Sequence, residues 1–233
     1  MSQNTQPLNP ALVTLTALHS TAAEQYRALR TNLEFLSVTQ RIRAVQVTSG
    51  VPGAGKTLTA ANLAIVMAQA ERRVLLVDAD LRRPAIHHLF PNSHVSGLTT
   101  ALTRADSWEQ YLYPGPLPNL WIMASGSIPP NPAELVGSTA MGNLIQTFQS
   151  EYDFVVLDTP PVVAYTDAVA LSRLVDGTIF VIRSEFASRQ ADLKAKERLE
   201  QVNARILGVV LNALDLRGDK TSAYYYGYGE KTP

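Results

Sequence analysis

The stretch Gly50-Val51-Pro52-Gly53-Ala54-Gly55-Lys56-Thr57 follows an apolar, β-prone run, Ala44-Val45-Gln46-Val47-Thr48. It precedes a long helical pattern from Leu58 to Ala70. Its spacing is G-x-x-x-x-G-K-T, the phosphate-binding loop of strand–loop–helix units. A chance glycine-rich turn would lack these flanks. Backbone N–H groups of such a loop, and the positive end of the helix that follows, attract phosphate. Gly50, Gly53 and Gly55 let the backbone approach closely. Lys56 can reach β- and γ-phosphates, and the Thr57 hydroxyl can sit on Mg²⁺.

Further along, Val74-Leu75-Leu76-Val77 is a continuous apolar run, as expected of a parallel strand covered on both faces. It ends in Asp78-Ala79-Asp80-Leu81-Arg82-Arg83-Pro84. The carboxyl ends of such strands are where open α/β sheets bind ligands. A single Asp there reads equally as a turn or cap residue. Two acids at i,i+2 beside a phosphate loop point instead to a cation shell. Phe154-Val155-Val156-Leu157-Asp158, followed by Thr159-Pro160-Pro161, is a second buried strand ending in an acid. This is the Walker B form, whose acid holds the Mg²⁺ shell.

The other elements fall around these. Thr21 to Leu36 predicts a helix with Tyr26, Leu29, Leu33 and Leu36 as its buried stripe. Glu24, Arg27 and Arg30 form a second, charged stripe, either a solvated face or a contact surface. Leu120-Trp121-Ile122-Met123, 177–182 and 206–212 predict further strands, and 187–202 an amphipathic helix. Gly97 to Leu102 predicts a short helix within an otherwise irregular stretch, 91–119. Asn131, Pro132 and Glu134 give a helix start, with Asn131 as its cap. Asp167 reads as a first-turn acid of the next helix. Asn212 ends the last strand and reads either as a contact to an adenine edge or as a turn residue. His87, His88 and His94 lack acid or Cys partners at metal-ligand spacing and read as structural or surface residues. The expected fold is α/β: a doubly wound, mainly parallel sheet of the P-loop NTPase type with helices on both faces.

Composition narrows the classes. The chain has 233 residues, 46% of them apolar, enough for one large α/β domain. Lys+Arg and Asp+Glu both number 20, and that balance argues against a nucleic-acid partner. There are no cysteines, so disulfide and thiol chemistry are excluded. No apolar run approaches the ~20 residues of a membrane helix, and no basic-then-apolar leader is present. The expected location is therefore cytoplasmic, with any membrane association peripheral.

Residues 1–20 are expected to form a flexible N-terminal arm with a short extended piece, Leu12-Val13-Thr14-Leu15. Residues 21–216 carry the domain, and 217–233 form a flexible tail. That tail holds Tyr224, Tyr225, Tyr226 and Tyr228, four of the nine tyrosines, among glycines and charged residues. They read as a docking tail, as low-complexity filler, or as phosphate acceptors.

Together these motifs resemble the bacterial tyrosine kinases of capsular and exopolysaccharide synthesis. The loop at 50–57 with Thr48-Ser49 before it is similar to that family's Walker A. Asp78 to Arg82 resembles its Walker A′ and Leu157 to Pro161 its Walker B. Glu24-x-x-Arg27-x-x-Arg30 is similar to its oligomerisation motif, and the tail tyrosines to its C-terminal cluster. Partitioning and cell-division ATPases of related fold carry a lysine where Val51 stands, which sets them apart from this chain.

The resemblance implies ATP and Mg²⁺ as cofactors and phosphorylation of the tail tyrosines, in trans between subunits, in control of polysaccharide synthesis and export. It implies nucleotide contacts from Gly50, Pro52, Gly53, Ala54, Gly55, Lys56, Thr57, Leu58, Arg82 and Asn212. Thr57, Asp80 and Asp158 would serve Mg²⁺, with Lys56, Asp78, Asp80 and Asp158 as the catalytic set and Asp78 sharing the metal shell. Asp80 is the expected neighbour of the acceptor hydroxyl. The implied partners are a ring-shaped homo-oligomer (an octamer is one such ring) joined through Glu24, Arg27 and Arg30, a membrane-anchored activator lending a cytoplasmic tail, and a cognate tyrosine phosphatase. The chain resembles the split form, in which the membrane-spanning activator is a separate protein. Two other readings use the same loop: an ATPase switch of the partitioning type, and a nucleotide-binding scaffold with a docking tail.

Overall fold

The computed structural model describes residues 8–91, 96–104, 107–184 and 189–214. At its centre is a seven-stranded sheet in the order β3-β4-β2-β5-β1-β6-β7. The strands are β1 (Ala44–Ser49), β2 (Val74–Asp78), β3 (Leu112–Pro114), β4 (Leu120–Met123), β5 (Phe154–Asp158), β6 (Gly177–Arg183) and β7 (Ile206–Asn212). All neighbours pair in parallel except β3 with β4. Every residue of β1, β2 and β5 is buried. These are the continuous apolar runs of the sequence, and helices cover them on both faces.

One face is covered by α3 (Lys56–Gln69), backed by α2 (Thr21–Thr39) and the short turns α1 (Val13–Thr16) and α4 (Ile86–Leu89). Because α3 lies between the sheet and these elements, Thr59 to Ala68 are all buried. Ala60, Ala61, Ala64 and Ala68 let it lie close to its neighbours. The other face is packed by α5 (Leu98–Thr103), α6 (Pro132–Val136) and α7 (Thr139–Glu151), whose Met141, Ile145 and Phe148 are fully buried. A smaller cluster joins α8 (Asp167–Leu171) and α9 (Arg189–Gln201) to Phe180 of β6.

Several details differ from the sequence expectation. Residues 13–16 form a helical turn rather than an extended piece, and this part of the arm is docked. Leu12 is fully buried. Thr14 donates through its N–H and its hydroxyl to Asn62 Oδ1, at 3.1 and 2.8 Å. Asn62 in turn donates to the carbonyl of Ala11. The sequence predicts a flexible arm here because the partner of Thr14, Asn62 of α3, lies far away in sequence. The α2 helix continues to Thr39, and its stripe is buried at Leu33 but not at Leu36. The proline-rich region supplies an antiparallel edge strand, β3, with Pro114 at its end, where a missing donor is tolerated. Asn131 occupies the cap position but caps nothing with its side chain, which donates to Glu134 instead.

Candidate functional site

The register of the sheet assembles the site. Asp78 pairs with Asp158 across β2–β5, and Val47 with Asp158 across β5–β1. Both acids therefore stand at the carboxyl edge beside the end of β1, where the phosphate loop begins.

The loop is shaped from outside. Gly53 and Gly55 have φ of 76° and 97°, values glycine adopts without steric cost. A Cβ at Gly55 would lie 1.9 Å from Asn212 Nδ2. Asn212 donates to the carbonyl of Ala54 (2.9 Å), Arg183 to that of Gly53 (3.0 Å), and the Ser49 hydroxyl to that of Val51 (2.7 Å). In a trans peptide the N–H points opposite to the C=O. Tying the Gly53 and Ala54 carbonyls outward thus turns the N–H groups of Ala54 and Gly55 to the other side of the loop. Gly55 caps α3 without a side-chain bond, so the first N–H groups of that helix are not taken by a capping side chain. Such a cradle fits phosphate.

Lys56 is buried, as are Asp80 and Asp158. The Thr57 hydroxyl donates to Asp158 Oδ2 at 2.6 Å. Asp158 Oδ1 is buried without a hydrogen-bond partner. Burial raises the Asp158 carboxyl to about 7, while Lys56 and the Thr57 hydrogen bond pull the other way. A buried, orphaned carboxylate oxygen beside a threonine hydroxyl is a hard-oxygen donor set of the kind Mg²⁺ takes when phosphate oxygens and water complete its shell. No group of three or more His, Cys, Asp or Glu able to hold a metal occurs among the described residues.

Asp80 is raised chiefly by burial. Its Oδ1 accepts the N–H groups of Arg83 (3.0 Å) and Arg82 (3.3 Å). Asp78 is also raised, by burial and then by the charge of Asp158. However, its Oδ2 accepts the N–H groups of Ala85 (3.1 Å) and Ile86 (3.0 Å), and its Oδ1 that of Asp80 (3.3 Å). Asp78, expected in the metal shell, thus also organises the turn that carries Asp80.

Arg82, expected at the nucleotide, pairs with Asp167. Its Nε donates to both oxygens of Asp167, at 2.9 and 3.1 Å, and its guanidinium lies 4.3 Å from the centre of the Tyr165 ring. Asp167 is therefore more than a first-turn acid. The sequence held no signal for this pair, whose members lie 85 residues apart.

The charged stripe of α2 is not at this site. Arg27 bonds Glu24 and the carbonyl of Leu18. Arg30 donates to the carbonyl of Val66 (3.1 Å), tying α2 to α3. The rings of His87 and His88 in α4 lie 4.0 Å apart, tilted by 46°. His94 and Tyr224, Tyr225, Tyr226 and Tyr228 lie outside the described residues.

The ParA family model, described as "NUBPL iron-transfer P-loop NTPase", matches residues 40–232. Tyrosine-protein kinase YwqD of Bacillus subtilis is 42% identical over 220 residues, covering 94% of this chain and 92% of that one. Among solved structures, the kinase domain of Escherichia coli tyrosine kinase ETK superposes with a TM-score of 0.87 at 32% identity, over 93% of this chain and 85% of that one. The chimerical protein CapA2B2 superposes with a TM-score of 0.84 at 35% identity, over 89% of this chain and 94% of that one.

Proposed function

From the premise that the chain belongs to the bacterial tyrosine-protein kinases, within the ParA-type P-loop NTPases, we propose that it transfers the γ-phosphoryl group of ATP to the tyrosines of its own C-terminal tail. The observation that carries this reading is the joint burial of Lys56, the Thr57–Asp158 hydrogen bond, and the Asp158 oxygen left without a partner.

The loop amides and Lys56 bind the phosphates and hold the γ-phosphorus for attack. Asn212, already on the Ala54 carbonyl, braces the loop and is the proposed contact for the adenine edge. Thr57, Asp158 and Asp80 are the residues that would hold Mg²⁺, which when bound spreads the negative charge of the transferring group. A tyrosine hydroxyl has a pKa of about 10 and is a weak nucleophile until oriented. Asp80, raised by burial, is suited to take its proton late in the transfer. The tyrosine oxygen forms the new bond to phosphorus, the bond to the β-phosphate oxygen breaks, and ADP leaves with that electron pair.

The tail acts in trans, within a homo-oligomer joined partly through Glu24, Arg27 and Arg30. A membrane-anchored partner supplies an activating cytoplasmic segment, and a phosphatase resets the tail. Among the described residues no helix is long and apolar enough to cross a membrane, so membrane association would come through that partner. The product regulates synthesis and export of surface polysaccharide. Each phosphate adds about −1.5 to −2 charge, and several on one tail repel each other and loosen the assembly.

The test is incubation with ATP and Mg²⁺, with and without activator peptides, followed by peptide mass spectrometry. Phosphate on Tyr224–Tyr228 that disappears in Lys56→Met is the expected result. ATP hydrolysis with no phosphotyrosine, even with activator, would instead establish an ATPase switch.

A further inference from the structure

Asp80 lies beyond the last paired residue of β2, since the β2–β5 ladder ends at Asp78↔Asp158. Backbone pairing therefore fixes Asp158 but does not by itself fix Asp80. Asp78 holds the segment from one side, through the N–H groups of Asp80, Ala85 and Ile86. The other tether is the pair between Arg82, two residues after Asp80, and Asp167, at the start of α8. Asp167 is 1% exposed and Arg82 is partly buried. The Tyr165 ring lies against the guanidinium and adds a cation–π contact. This three-part grip joins the segment that follows β2, which carries Asp80, to the segment that follows β5, the strand that ends in Asp158.

We propose that Asp167 is a positioning residue for phosphoryl transfer: it holds Arg82, and through Arg82 it fixes the turn that presents Asp80. The inference rests on the kinase reading above. A charged pair this buried needs both partners. Removing one leaves the other desolvated and free to pull the turn out of place. A displacement of about 1 Å in a reacting group can cost about a hundredfold in rate. An ordinary first-turn acid makes a different prediction, because it stabilises its own helix and nothing else.

The experiment uses the full chain with Asp167→Asn, Arg82→Met and the double variant. It measures kcat and KM for MgATP in autophosphorylation, MgADP affinity by calorimetry, and melting temperature. Each single change is expected to lower kcat about ten- to a hundredfold. KM and MgADP affinity should stay within about threefold, and the double variant should be no worse than the poorer single, as for two residues acting as one unit. Arg82→Lys, which keeps the charge but not the fork, should recover part of the kcat lost in Arg82→Met. Lower melting temperatures with unchanged kcat would reduce Asp167 to a helix acid and overturn the proposal. So would losses confined to KM, which would place Arg82 on the nucleotide itself, and so would additive effects in the double variant. If the wild-type chain makes no phosphotyrosine, the kinase reading fails, and the same comparison is then read on its rate of ATP hydrolysis.

Discussion

Both ends of the sheet carry aspartates, and Asp158 at the carboxyl end is treated in the opposite way to the pair at the amino end. At the amino end, Asp176 Oδ2 accepts the N–H groups of Arg43 (2.7 Å) and Ala44 (2.8 Å) and the Gln149 amide (3.0 Å). Asp153 there accepts the Arg73 N–H at 2.9 Å, a bond that heads the causes holding its carboxyl below the usual range. At the carboxyl end, Asp158 has one oxygen on Thr57 and the other on nothing, and burial pushes it upward. The amino-end acids are satisfied by the chain and stabilise it. The carboxyl-end acid is left short by the chain, which fits a place kept for an ion and phosphates. The stability of the apo protein should thus be concentrated at one end and its chemistry at the other.

The largest effect expected from this contrast is at the carboxyl end. Lys56→Met should cut autophosphorylation by about a hundred- to a thousandfold, the usual cost of removing a charged contact to a transferring group, with little change in melting temperature. Activity lost only because the protein unfolds would break the comparison.

Next, Asp158→Asn should abolish phosphorylation to a similar extent and yet raise the melting temperature of the nucleotide-free protein at pH 8, since it removes a buried, unsatisfied charge. Asp176→Ala should do the reverse. It leaves two backbone N–H groups without their acceptor and should cost about 2–3 kcal/mol of stability, while per-molecule kcat holds. Thermal melts beside initial rates decide it, and shifts of the same sign at both positions would refute the division of labour.

The pH dependence sharpens the point. The Asp158 carboxyl is raised to about 7 in the folded chain, against about 3.9 when unfolded. Between those values the folded state binds more protons than the unfolded state, so this group's stabilisation is full below about pH 4 and is lost as pH rises towards 7. Melting temperature of the apo protein against pH should therefore fall less over that window in Asp158→Asn than in wild type. The smallest effect expected is at Asn212. Its replacement by Ala removes one neutral hydrogen bond to the loop and should weaken MgADP binding severalfold, about 1 kcal/mol, by calorimetry.

What could be read from the sequence follows the range over which each feature is determined. Lys56, Thr57 and Asp158 announce themselves because a phosphate loop and an acid-ended strand are local patterns. The sheet centre was legible because β1, β2 and β5 are apolar runs buried on both faces. The helical turn at Val13–Thr16 was not, because it depends on Asn62. Nor was the fate of Arg82, whose partner lies in another strand–helix unit. Asp78 and Asp80 look alike in sequence. They part only when the chain turns back at Ala85 and Ile86 and gives Asp78 two donors.

The strand order also bears on how the molecule is made. The strand that leads into the phosphate loop, β1, has β5 and β6 as its neighbours, both encoded far downstream, and Asn212, which braces that loop, ends β7, the last strand among the described residues. A ribosome delivers the loop before its supports. Pairings this distant are slow to form and leave apolar edges bare in the meantime. The nascent chain thus emerges with its phosphate loop unfinished, and competence to grip a nucleotide should arrive only once β7 has been made.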